Sequence, residues 1–158
     1  GNVDDLAACR ALLGTVRSVL APGGVCVLRQ ALVPTDLTPS DVTADRLLAD
    51  HRAGLLDDAE FGFAMRLLAH LGCCWDRTTG ILDGARLVDE TARWADDADL
   101  SSAERAAIAR YAYRGRNLVP AEADWLAAVA GAGFAHRRVP LEGRHWYRYY
   151  PVEVCRPE

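Results

Sequence analysis

Residue types suited to chemistry concentrate in Tyr113-Arg114-Gly115-Arg116-Asn117, where two guanidinium groups and a side-chain amide share a break between helical patterns. Such a group can grip a carboxylate or phosphate through charge-assisted hydrogen bonds, with surface salt bridges as the competing use of Arg114, Arg116 and Asn117. Arg29 and Gln30 follow the apolar run Val25-Cys26-Val27-Leu28, at the end of a presumed strand where open α/β sheets place ligands. They are substrate-side candidates, with a solvated strand end as the alternative. His145 falls in a predicted hairpin loop and is the candidate acceptor base, whereas His51 and His70 fall on helical patterns that pack or solvate them.

The cysteines add no site. Cys9, Cys26, Cys73, Cys74 and Cys155 form no C-x-x-C pair and have no paired histidines nearby, so neither a metal centre nor a disulfide framework is expected. None has an adjacent base, so covalent catalysis has no support. An odd set of free thiols fits a reduced, cytoplasmic protein.

Composition bounds the rest. The 158 residues are 51% hydrophobic and 25% charged, enough for one ordinary domain that forms a core without staples. A net charge of -4 argues against a polyanion-binding surface, so no nucleic-acid partner is expected. All the basic side chains other than histidine are arginine, which reads as codon bias. Apolar stretches are interrupted well short of a membrane span and no leader precedes them, so no membrane partner is expected.

Helical spacing of Leu6, Cys9, Leu12, Leu13, Val16, Val19 and Leu20 predicts an amphipathic helix over 5–20, stopped by Ala21-Pro22-Gly23-Gly24. A strand follows over 25–28. Thr38 and Pro39 are placed to open a helix reaching about Ala53, and Asp57 with Glu60 caps another that ends at Gly72. Residues 85–94 carry Leu87, Val88, Thr91 and Trp94 on one helical face, and Ser101 with Glu104 opens a helix to about Tyr113. A last helix over 120–131 closes at Gly131-Ala132-Gly133 before Phe134, and 135–141 with 146–155 read as an antiparallel hairpin. Within the hairpin, Trp146, Tyr147, Tyr149 and Tyr150 are expected on alternating strand faces, with an acceptor wall or a homo-oligomer surface as further readings.

Two segments, Leu20-Ala21-Pro22-Gly23-Gly24-Val25-Cys26-Val27-Leu28 and Leu126-Ala127-Ala128-Val129-Ala130-Gly131-Ala132-Gly133-Phe134, together with the order of elements, resemble the C-terminal half of a class I S-adenosylmethionine-dependent methyltransferase. The implied fold is α/β: a partial Rossmann-like sheet of one parallel strand plus the C-terminal hairpin, in a single, incomplete domain with a helical insert or lid over about 38–113. The implied activity is methyl transfer from S-adenosyl-L-methionine to a small-molecule acceptor, as in bacterial specialised metabolism. Gly1, Asn2 and Val3 would then pass the methionine end of the cofactor, although helix capping competes for Asn2, Asp4 and Asp5.

The family's glycine-rich loop after its first strand and its ribose-binding acid have no counterpart here, and the chain opens without methionine directly into a helix. The resemblance therefore implies an acceptor-side half completed by an N-terminal segment or a complementary subunit. The alternatives are a non-catalytic methyltransferase-like partner subunit of a heteromeric enzyme, and an unrelated α/β enzyme holding a phosphate or acyl substrate at Arg114 and Arg116.

Overall fold

A computed structural model describes residues 5–140 and 145–158, without the side chains of His145 and Trp146. The chain is mixed α/β and divides into two compact units. Unit 1 takes the chain up to Asp36, Arg77–Ile81, and everything from Leu118 onward; unit 2 takes Leu37–Asp76 and Leu82–Asn117. The helical block expected over 38–113 falls almost wholly in unit 2.

Unit 1 begins with α1 (Leu6–Val19), whose first turn is closed by Asp5 accepting the Ala8 amide at 2.7 Å. Capping is thus the observed role of that aspartate. Gly23, at φ 76°, makes the reversal that follows, and the Gly24 amide donates to Ala21 O at 2.8 Å. The chain then enters β1 (Cys26–Arg29). Helix α7 (Glu122–Gly131) leads through Gly133, at φ 81°, into β5 (Phe134–Arg138), and β6 (Val152–Pro157) ends the chain.

These strands form a sheet in the order β1-β6-β5, with β6 antiparallel to both neighbours. Strands β1 and β5 therefore run the same way with β6 inserted between them. The last two strands pair antiparallel as expected, but β6 starts at Val152, not at Trp146. Among the described residues β1 has no parallel neighbour and pairs only with β6, in the register Cys26 to Cys155 and Arg29 to Val152.

One face of this sheet is covered by α1 and α7, whose Cys9, Leu13, Trp125 and Val129 close over Cys155 and Phe134. Arg10 of α1 ties the two helices: its Nη2 donates to the Gly131 carbonyl at 3.1 Å, satisfying an orphan acceptor at the end of α7. The other face is bare along β1. Val25 and Val27 alternate outward, and Val27 is 62% exposed.

Between β5 and β6 the aromatic run departs from expectation. Residues His145–Tyr149 form a 3-10 turn, not a strand, so Tyr147 and Tyr149 do not lie along a strand face. The turn is held by a tertiary bond, the Leu32 amide donating to Tyr149 O at 2.9 Å.

Unit 2 contains α2 (Ala44–Arg52), α3 (Asp58–Leu67), the single turn α4 (Leu71–Cys74), α5 (Gly84–Asp97) and α6 (Ser102–Tyr111). Both predicted capping boxes form, Asp57 with Glu60 and Ser101 with Glu104. Thr38 does not cap an α-helix: Pro39–Asp41 is a 3-10 turn, and Thr43 caps α2 by accepting the Arg46 amide at 3.2 Å. Helix α3 also stops earlier than Gly72. Helices α3 and α6 meet at Gly62, where a Cβ would come within 2.2 Å of Ala107 O. Short strands β2 (Trp75–Asp76), β3 (Ile81–Asp83) and β4 (Arg116–Leu118) make a second sheet in that order, mostly of unit 2 residues.

Candidate functional site

The register of the first sheet brings the carboxyl ends of β1 and β5 to one side, together with the start of β6: Leu28 lies opposite Glu153, and Glu153 opposite Arg138. This is the end at which open α/β sheets hold ligands. A network of charged groups occupies it. Glu153, 1% exposed, accepts the Trp125 indole N–H at 2.8 Å on Oε2 and Arg138 Nη2 at 3.0 Å on Oε1. The other arm of Arg138 donates to Glu122 Oε1 at 2.6 Å, and Glu122 Oε2 accepts the Thr35 amide at 3.2 Å.

Electrostatics follow from those contacts. Burial of Glu122 opposes its ionisation, but the Thr35 amide and the Arg138 guanidinium outweigh it and hold its pKa below the ordinary 4.5. Burial likewise opposes the charge on Arg138, and hydrogen bonds to Glu153 and Glu122 more than offset it, raising its pKa. Both carboxylates therefore have each oxygen engaged. The network clasps the ends of β5, β6 and α7 and the loop at Thr35; it offers no idle acid or base.

Of the substrate-side candidates, Arg29 reaches this end of the sheet and stands 4.4 Å over the Tyr150 ring. Gln30 turns inward, its amide donating to the carbonyls of Leu118 at 2.7 Å and Ala31 at 3.1 Å, so it fastens the chain after β1. His145 opens the 3-10 turn, and its side chain lies outside the described residues, as do Gly1, Asn2 and Val3.

The expected grip at 113–117 does not assemble. Arg114 pairs with Asp89 at 2.6 Å on the surface, Arg116 is exposed on β4, and Asn117 Oδ1 instead accepts Arg66 Nη2 at 3.1 Å. Successive residues of β4 point to opposite sides, which separates Arg116 from Asn117, and Arg114 precedes the strand.

Arg66 had no signal of its own in the sequence, because it sits within an amphipathic helix. It lines an apolar pocket of unit 2 between α3, α5 and α6, with Thr91 from the helical face already noted. Among the described residues no group of three or more histidine, cysteine or acidic side chains is placed to hold a metal ion, and no helix is long and apolar enough to cross a membrane.

The described residues do not by themselves fit S-adenosylmethionine. The tight glycine turn at Gly23-Gly24 precedes a strand, and a Cβ at Gly24 would meet Ala21 O at 2.8 Å, so that turn is filled by its own backbone and cradles nothing. No protein-family model, curated protein or solved structure matches the chain.

Proposed function

We propose that this chain is the acceptor-side portion of an S-adenosylmethionine-dependent methyltransferase acting on a small molecule, with the cofactor held by polypeptide outside the described residues or by a complementary subunit. One observation carries the reading: β1 and β5 run in the same direction, with α1 and α7 covering one face, while the opposite face along β1 leaves Val25 and Val27 exposed. Parallel α/β sheets are apolar on both faces because helices cover both. The exposed valines are what such a strand leaves uncovered when its second layer and its parallel neighbour are supplied from elsewhere. The α/β fold is then the downstream edge of a Rossmann-like sheet.

Bound S-adenosylmethionine would supply an electrophilic methyl group on sulfonium. Such a transfer asks alignment and exclusion of water of the protein more than an acid or base. The saturated clasp of Glu122, Arg138 and Glu153 agrees with that demand, since it fixes the sheet's carboxyl end without offering a reactive group.

Calorimetric titration with S-adenosylhomocysteine tests the proposal on the chain alone and on the longer or paired polypeptide. Heat only in the longer or paired form is the expected result. Heat in neither removes methyl transfer and leaves the non-catalytic partner subunit as the reading of the same scaffold.

A further inference from the structure

The single turn α4 ends on two adjacent cysteines whose sulfurs meet. Cys73 Sγ and Cys74 Sγ stand 3.5 Å apart, in a thiol–thiol contact. Backbone fixes that approach: the amides of Cys73 and Cys74 both donate to His70 O, at 3.1 and 2.9 Å, and the Cys73 thiol turns to the same carbonyl at 3.5 Å. Cys73 is exposed, whereas Cys74 is buried at 4% exposed. One sulfur therefore meets solvent and the other backs it.

Geometry separates the uses of such a pair. A disulfide needs sulfurs about 2.05 Å apart on Cα atoms at least ~4.4 Å apart, and adjacent residues offer only about 3.8 Å. Closing it here would disturb the turn that the two amide bonds hold. Structural zinc takes four protein ligands, and among the described residues no third histidine, cysteine or acidic side chain joins the pair. A centre that takes only two sulfurs remains, and the spacing suits it. Two bonds of about 2.3 Å, the length sulfur makes to zinc, hold their sulfurs roughly 3.3–3.8 Å apart between right-angled and tetrahedral geometry.

We infer that Cys73 and Cys74 capture a trivalent arsenical, one arsenic atom bridging the two sulfurs at their observed separation. In that step R–As=O condenses with both thiols: two S–As bonds form, the As–O bond breaks, and the oxygen leaves as water with the two thiol protons. Arsenic stays trivalent, neither sulfur is oxidised, and the product is uncharged. An uncharged product suits the buried Cys74 sulfur, for which a free thiolate is costly. Cys73 makes the first attachment from solvent, and its bound arsenic then lies beside Cys74, so the second bond closes within one molecule. The inference is independent of methyl transfer.

Phenylarsine oxide is the probe, added to the full chain and followed by intact-protein mass spectrometry after a wash with excess glutathione. A monothiol wash strips an arsenical held by one sulfur and spares one held by two, because a released bond re-forms within the chelate. The native chain should retain one phenylarsenic group, release it to a small dithiol such as dimercaptopropanol, and lose the reactivity of Cys73 towards iodoacetamide while the group is bound. Cys73→Ser alters an exposed position and leaves the fold intact. That variant and Cys74→Ser should each lower retention at least ~100-fold, and Cys26→Ser, which removes a sulfur opposite Cys155, should not lower it. No retained group on the native chain, undiminished retention in Cys73→Ser or Cys74→Ser, or loss of retention in Cys26→Ser would each overturn the assignment.

Discussion

Trp125 Nε1 donates to Glu153 Oε2 across 2.8 Å, and both residues are buried, at 3% and 1% exposed. A carboxylate so far from water is tolerable only because its second oxygen takes Arg138. The pair joins α7 to β6 in the middle of unit 1, and the stability of that sheet depends on the charge balance around it.

Removing the cation and removing the anion should then have unequal effects. Arg138→Met strands a buried carboxylate and should cost ~3–5 kcal/mol, whereas Glu153→Gln keeps an acceptor for the indole and should cost about 1–2 kcal/mol. Urea midpoints at unchanged slope measure the difference. Equal losses would mean that water reaches Glu153.

The acid dependence of unit 2 rests on another carboxylate, Glu104. Glu104 is drawn from 4.5 down to about 2, chiefly by its hydrogen bond with Arg52 at 2.8 Å; burial opposes the shift, and the Ser101 amide at 2.6 Å adds to it. A depressed folded pKa stabilises fully above the unfolded value and is lost as pH falls through the folded one. The thermal stability of unit 2 should therefore fall from about pH 4.5 towards 2. Glu104→Gln should flatten that part of the profile, and an unchanged slope would contradict the coupling.

Much of this local order was legible, because caps and turns are short-range. Asp57 with Glu60, Ser101 with Glu104, and the reversal at Gly23 depend on neighbours within a few residues, and all three form. What escaped was long-range. Trp146 to Tyr149 has the composition of a strand, but it folds as a turn tied to Leu32, far along the chain. Proximity in sequence groups Asn117 with Arg114, whereas its partner Arg66 stands 51 residues away. The clasp of Glu122, Arg138 and Glu153 likewise exists only once α7, β5 and β6 are assembled.

Thiol reactivity should separate neighbouring cysteines. Burial, followed by the hydrogen bond with Cys73, pushes Cys74 up to about 12, and burial lifts Cys155 to about 11. Cys9 and Cys26 are raised by burial as well, while Cys73 is exposed. Iodoacetamide at neutral pH should modify Cys73 rapidly and the other four at least ~10-fold more slowly. Cys73→Ser should abolish the fast phase, and a second fast site would show that the native core opens more readily than its packing implies.

The close approach at Gly62 gives a packing test. Alanine is favoured over glycine within a helix by roughly 1 kcal/mol, but its Cβ would sit 2.2 Å from Ala107 O and 2.7 Å from the Tyr111 ring. Backbone cannot step aside as a flexible side chain does, so the clash, costing ~1–3 kcal/mol, should exceed the helix gain. Gly62→Ala should lower the urea midpoint, and a rise would mean that α3 and α6 separate freely.

The exposed face of β1 distinguishes an interface from an idle surface. Val27 is 62% exposed and contributes little to the isolated fold, so Val27→Lys should change its stability by less than about 0.5 kcal/mol and improve its solubility. If that face is where a second layer and a parallel neighbour seat, the same lysine buries a charge in the assembled protein and should abolish S-adenosylhomocysteine heat in the longer or paired form. Full retention of that heat with Val27→Lys would place the missing polypeptide elsewhere and remove the argument from the bare valines.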